Sequence, residues 1–168
     1  MKNAQYFALL ILVGCQKSPQ RASPPPPSAS AVPAPHAAAT DTLDRLDTRK
    51  PVPLLPMMAH HQKENMREHL EAVQEVVAAV ALRDFGKVAA AANKLGYSEA
   101  MGRMCEHMGA GAPGFTEQAL AFHRTADSIA EAAKAEDQTA VLAALGQTLT
   151  ACTGCHATYK QRLVDDLP

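Results

Sequence analysis

From Pro56 almost to the end of the chain, apolar residues recur at spacings of three and four, and no stretch alternates as a β-strand does. This period predicts helices over about 56–82, 84–95, 116–134 and 137–163, with a short one over about 98–108. Short connections between amphipathic helices favour antiparallel neighbours. We therefore predict an all-α fold, an antiparallel four-helix bundle whose extra short helix lies between the second and third helices.

The composition and the ends of the helices agree with this prediction. Ala and Leu dominate, and the chain has no Trp, three Tyr and four Phe, which favours helices over sheets. Asp84 and Ser98 occupy positions expected for helix N-caps. Periodicity assigns two inner stripes, one on the first helix (Met58, Gln62, Met66, Leu70, Val73, Val77 and Val80) and one on the third (Ala119, Phe122, Ala126, Ile129 and Ala133).

The N-terminus has the pattern of a bacterial export signal. Lys2 supplies a positive charge, and the apolar run over 6–13 is too short to span a bilayer. The run leads into a Leu-Val-Gly-Cys sequence ending at Cys15, which resembles a bacterial lipobox. This resemblance implies a signal peptide over 1–14, a lipidated Cys15 and a periplasm-facing membrane anchor. By the same resemblance, Gln16 favours the outer membrane because it is not Asp.

Composition then divides the rest of the chain. Residues 15–39 combine the lipidated Cys with a segment rich in Pro, Ser and Ala, which cannot bury a core and is predicted to be a tether. Residues 40–168 are predicted to form the folded bundle. Between Asp41 and Asp166, 13 basic residues stand against 17 acidic ones, a net charge of −4. That charge argues against nucleic-acid binding, which requires many neutralised phosphates.

The last predicted helix carries Cys152-Thr153-Gly154-Cys155-His156, the C-x-x-C-H pattern of covalent c-type haem attachment. Two thiols at this spacing lie along one helix face and can add to the two haem vinyl groups as thioethers. His156 follows on the same face, so its imidazole can become the proximal iron ligand. A thioredoxin-like motif would follow a strand, and a zinc site would need two further ligands. We therefore expect one haem c in the bundle.

An all-helical chain with this motif in its last helix, followed by Tyr159-Lys160, resembles class II cytochromes c, the cytochrome c′ family. The resemblance covers about 56–163 and implies an up-down-up-down bundle. Members carry Arg or Lys four residues after the haem His, so Lys160 is implied to lie near a haem propionate. Members also often pair through their first two helices, which leaves a homodimer open here.

The resemblance also raises the question of the sixth iron ligand. Members with an apolar distal residue are five-coordinate and bind nitric oxide or carbon monoxide, whereas members with a Met on the first helix are low-spin electron carriers. The apolar register of that helix puts Met66 at the distal position. Gln62 stands where the family commonly has Arg. The alternatives are ligation by His69 or His61, by another Met, or no protein ligand at all.

Two functions follow as expectations. The first is a monohaem cytochrome that carries single electrons between periplasmic or membrane redox partners, and the alternative is a five-coordinate gas-binding protein. No residue set suggests an enzyme such as a hydrolase or transferase. Among other histidines, His60, His107 and His123 are predicted at the surface or rim. A further group of soft ligands suits either Cu(I) binding or packing over the haem edge: Met101, Met104, Cys105 and Met108.

Overall fold

The computed structural model describes residues 42–167. After a helical turn over 42–46, these residues form a short strand β1, five longer helices α1 to α5 and a final strand β2. The bounds are β1 Lys50–Leu54, α1 Pro56–Ala81, α2 Phe85–Ala92, α3 Glu99–Gly109, α4 Phe115–Lys134, α5 Gln138–Thr158 and β2 Tyr159–Leu163. The predicted signal peptide, Cys15 and the tether lie outside the described residues.

Four of the helices make up the bundle. α1 packs against α2, α2 against α4, and α4 against α5, whereas α1 and α5 touch only sparsely. Helix α3 is the extra short helix between the second and third bundle helices, and it packs on α4. The predicted all-α bundle with one inserted helix is therefore confirmed. None of the helices within residues 42–167 is both long and apolar enough to cross a membrane.

Side chains at the helix termini explain where several helices begin. The carboxylate of Asp84 accepts a hydrogen bond from the backbone N–H of Lys87 at 3.1 Å, and Ser98 Oγ accepts one from Met101 N–H at 3.1 Å. Both predicted N-caps are thus confirmed. Asp137 caps α5 in the same way, through a 3.0 Å bond from the N–H of Ala140.

The main core lies where α1, α2, α4 and α5 meet at the end of the bundle far from the haem-attachment motif. Small residues let the helices approach closely there, and the larger side chains fill the remaining space. Its buried members are Val76, Ala79, Val80, Val88, Ala91, Ala92, Ile129, Ala130, Ala133, Val141, Ala144 and Leu145. The predicted stripe of the third bundle helix is largely confirmed, because its members from Phe122 to Ala133 are all buried.

In the predicted stripe of the first helix, Met58, Gln62 and Val80 are buried as predicted, but Leu70 and Val77 are not. Leu70 and Val77 are 69% and 51% exposed, while Ala72, Val76 and Ala79 are buried. The Ala-rich face allows α1 to approach α2 closely, so Ala72, Val76 and Ala79 turn toward the core in place of Leu70 and Val77.

The last predicted helix extends too far. Helix α5 ends at Thr158, and residues 159–163 form β2, which pairs in parallel with β1. Tyr159 and Leu163 continue the spacing of the preceding helix, so periodicity assigned them to it. The strand forms because Val52 and Leu54 of β1 are buried, at 1% and 0% exposure, and offer β2 a ladder of backbone groups.

The prolines of β1 fit a two-stranded sheet. Pro51 and Pro53 alternate with the residues that face β2, so their missing N–H groups fall on the outer edge of the strand. The carbonyl of Leu54 accepts a 3.0 Å hydrogen bond from Val164 N–H, which shows that Leu54 faces β2. Since β2 directly follows α5, this pairing fixes the C-terminal end of that helix.

Candidate haem site

A cavity of about 310 Å³ lies among α1, α4 and α5. Its lining is mainly carbon, and its polar members are a glutamine, three histidines and the two motif cysteines. The side chains that line it are Met66, His69, Leu70 and Val73 of α1, Gln118, Ala119, Phe122 and His123 of α4, and Leu149, Ala151, Cys152, Cys155 and His156 of α5. The structure thus brings the haem-attachment motif and two candidate distal ligands to one cavity.

The motif occupies the last two turns of α5. Because Cys152, Cys155 and His156 are three and four residues apart on a helix, they share one face, and all three line the cavity. The two cysteines are half-buried and free of disulfides, and His156 is exposed. Burial raises the pKa of both thiols, and the neighbouring Cys152 raises that of Cys155 further. The thiols are therefore protonated at neutral pH.

The residues present fit a haem. Several large apolar side chains on the cavity wall remain in contact with solvent: Met66 is 40% exposed, Leu70 69% and Leu149 41%. A flat apolar group in the cavity would cover this surface, and its attachment would use the two thiols that already face it. The donor set suits iron, because imidazole and thioether are both haem ligands.

Helix α1 presents Met66 and His69 to the cavity, one turn apart. His61 does not line it. Its imidazole is exposed and lies 3.3 Å from the carboxylate of Glu64, which His60 also approaches at 3.2 Å. Of the two histidines considered for the distal position, the structure thus brings only His69 near the motif.

His69 belongs to an aromatic cluster with Phe122 and His123. Its ring centroid lies 5.1 Å from that of Phe122 and 5.4 Å from that of His123. Burial, helped by the neighbouring His123, lowers the pKa of His69 from 6.5 to about 4. The imidazole is therefore neutral at pH 7 and keeps a lone pair, which is the form that binds metals.

His123 was predicted at the surface or rim, and this prediction is wrong. The residue is 3% exposed, and its Nδ1–H donates to the carbonyl of Leu95 at 2.7 Å. Burial lowers its pKa, although the bond to Leu95 and the charge of Asp127 oppose the shift. The hydrogen bond leaves Nε2 as an acceptor. Periodicity did not predict the burial of His123, because this residue follows Phe122 directly and is not part of the predicted inner stripe.

Lys160 does not line the cavity. Its Nζ forms an ion pair with Asp44 Oδ1 at 2.6 Å and donates to the carbonyls of Asp44 and Asp47 at 2.8 and 2.9 Å. These bonds engage the whole ammonium group. The implied contact with a haem propionate stays a prediction, and it would require Lys160 to leave these partners.

Of the soft-ligand group, Met108 belongs to a second core cluster around β1 and the N-terminal end of α4. Cys105 and Met108 are buried, and Met104 packs against the cluster with Cys155. The side-chain amide of Asn65 contacts Met104 Sδ at 3.0 Å. This segment therefore packs beside the motif.

A protein-family comparison matches residues 110–160 to the family described as Cytochrome C'. The matched segment contains α4, α5 and the whole haem-attachment motif. Neither the curated proteins nor the solved structures give a significant match. The chain is therefore similar to the cytochrome c′ family over the two helices that carry most of the cavity wall.

Proposed function

We propose that the protein is a monohaem c-type cytochrome that carries single electrons between redox partner proteins. In this proposal Cys152 and Cys155 hold one haem through thioethers, and His156 is the proximal ligand. Bound there, the haem supplies a one-electron iron couple. The observation that carries the proposal is that Met66 and His69, both able to ligate iron, line the same cavity as the motif.

Six-coordination suits electron transfer because the iron then changes oxidation state without gaining or losing a ligand. Met66 is the proposed distal ligand: a thioether is soft and neutral, favours ferrous iron and raises the reduction potential. His69 is the alternative on the same helix. It would give a bis-histidine site with a lower potential.

The second candidate function is gas binding at a five-coordinate iron. It is favoured by the apolar residues around the same cavity, Leu70, Val73 and Phe122, which would leave an open distal side if neither candidate ligand reached the iron. Carbon monoxide or nitric oxide would then bind without displacing a protein ligand.

Absorption and electron paramagnetic resonance spectra of the haem-loaded protein separate these functions. We expect a low-spin wild type that becomes high-spin in Met66→Leu and remains low-spin in His69→Leu. The opposite pattern would assign the ligand to His69. His61→Leu is the matched control, because this exposed histidine lies outside the cavity. A high-spin wild type that binds carbon monoxide readily would refute the carrier and support the gas binder.

We further propose that the carrier faces the periplasm on a lipid anchor at Cys15, in the outer membrane, with the 15–39 segment as its tether. Several acyl chains hold a protein on a membrane where one does not. Support comes from the N-terminal sequence pattern and from the chemistry, since c-type haem is attached outside the cytoplasm. A Cys15→Ala variant should move from the membrane fraction to the soluble fraction, and unchanged fractionation would contradict the anchor.

A further inference from the structure

The backbone at the end of α5 accepts a hydrogen bond from the side chain of Arg49, which lies 107 residues earlier in the sequence. In a continuing helix, the carbonyl of His156 would accept a hydrogen bond from the N–H of residue 160. Lys160, however, lies in β2, paired with Pro51. Arg49 takes over this acceptor: its Nη1 donates to the His156 carbonyl at 3.0 Å and to the Tyr159 carbonyl at 3.4 Å.

Arg49 is itself held in place by Asp47. Its Nε donates to Asp47 Oδ1 at 2.9 Å and its Nη2 to Oδ2 at 2.7 Å, the bidentate geometry of a guanidinium and a carboxylate. The same contacts lower the pKa of Asp47 to about 2, so its carboxylate is charged at neutral pH. One edge of the guanidinium therefore binds Asp47, and the other edge binds the last turn of α5.

We infer that Arg49 is a positioning residue for His156, which orients the proximal imidazole through its backbone carbonyl and, with Asp47, sets the electrostatic environment of the iron. This inference rests on the proposed function, because it assigns His156 to haem iron. The ionic pair is neutral as a whole, so it holds the ligand without adding net charge beside it. Either partner alone would add such a charge.

The sign of the effect distinguishes this role from a merely structural one. Ferric haem carries one more positive charge than ferrous haem. Replacing Arg49 with Gln removes the guanidinium charge that balances the Asp47 carboxylate, which favours the ferric state and lowers the potential. Replacing Asp47 with Asn leaves the Arg49 cation unpaired and raises it. A purely structural contact would instead shift both variants in one direction.

The test is a redox titration of the haem-loaded full-length protein. We expect opposite shifts for Arg49→Gln and Asp47→Asn, each about threefold in the equilibrium constant for reduction, or roughly 30 mV for a one-electron couple. The double variant should lie near wild type. Arg49→Lys keeps the positive charge but loses the planar guanidinium that contacts both Asp47 and the His156 carbonyl. The reduction potential of this variant should stay near that of wild type, while amide hydrogen exchange at the end of α5 becomes faster.

Arg83→Gln is the matched control. Arg83 also makes a side-chain hydrogen bond, to Gln138 at 2.7 Å, but Gln138 begins α5 and lies 18 residues, or about 27 Å, from His156. At that distance screening removes the effect of the lost charge. Shifts of the same sign in both Arg49→Gln and Asp47→Asn, or shifts no larger than in the control, would overturn the inference. A wild type without covalent haem would instead refute the proposed function, and the inference with it.

Discussion

The half-buried His69 makes the free energy of unfolding depend on pH in a direction that can be worked out. Its native pKa is about 4, against 6.5 for an ordinary histidine, because burial and the nearby His123 disfavour the charged imidazole. As pH falls from about 6.5 to about 4, the unfolded chain binds a proton at this residue and the native protein does not. The contribution of His69 to the free energy of unfolding is therefore fully present above the pKa of the unfolded state, and it is lost on acidification.

The magnitude follows from the size of the shift. A difference of about 2.5 pKa units corresponds to at most about 3 kcal/mol. Between about pH 7.5 and about pH 4.5, His69 alone should remove roughly 2 to 3 kcal/mol of the free energy of unfolding. About half of that loss should already be present near pH 5.5. Carboxylates also titrate in this range, so only a comparison between variants isolates the contribution of His69.

Urea unfolding followed by circular dichroism, at several pH values, measures this contribution. We expect His69→Leu to show a shallower loss of stability with acid than wild type, by roughly 2 to 3 kcal/mol over that range. The exposed His61, which pairs with Glu64, provides the control: His61→Leu should retain the wild-type pH dependence. Parallel curves for His69→Leu and wild type would refute the reasoning, because they would mean that His69 titrates alike in the native and unfolded states.

Two further predictions concern the scaffold. Ile129 is fully buried in the main core, so Ile129→Ala should lower the free energy of unfolding by about 2 to 5 kcal/mol. Leu142→Ala, at a half-exposed position on α5, should lower it much less. Equal losses of the two variants in chemical denaturation would contradict this packing. Gly114 has φ +83°, and an added Cβ would lie 2.8 Å from Tyr159 Oη, so thermal unfolding of Gly114→Ala should show a loss of about 1 to 2 kcal/mol, while Gly146→Ala, where a Cβ meets nothing, should lose no stability.

Local sequence signals predicted the helices well because those signals act over a few residues. Asp84 and Ser98 cap the helices that they were predicted to cap, and the stripe around Phe122 and Ile129 is buried. The strand β2 could not be predicted from such local signals. Its partner β1 lies more than 100 residues earlier, and nothing in the spacing of Tyr159 and Leu163 distinguishes a strand from a further helical turn.

Prediction of the site depended on chemistry as well as spacing. The C-x-x-C-H pattern named Cys152, Cys155 and His156 directly, and helical register placed Met66 among the candidates; all four line one cavity. The burial of His123 was not predictable, since its stabilising partner is the backbone carbonyl of Leu95, and backbone acceptors leave no mark in a sequence. The contact of Arg49 with the end of α5 was hidden for the same reason.

The first bundle helix shows why periodicity alone could not settle which face is buried. Helix α1 has two apolar faces: one contains Ala72, Val76 and Ala79 and packs into the core, and the other contains Met66 and Leu70 and borders the cavity. A spacing of three and four fits both faces equally well, so a single stripe drawn through α1 mixes them. Large apolar side chains left in contact with water are costly unless another group covers them. The second face is therefore best explained as one wall of a prosthetic-group site, which is the requirement that the motif on α5 imposes independently.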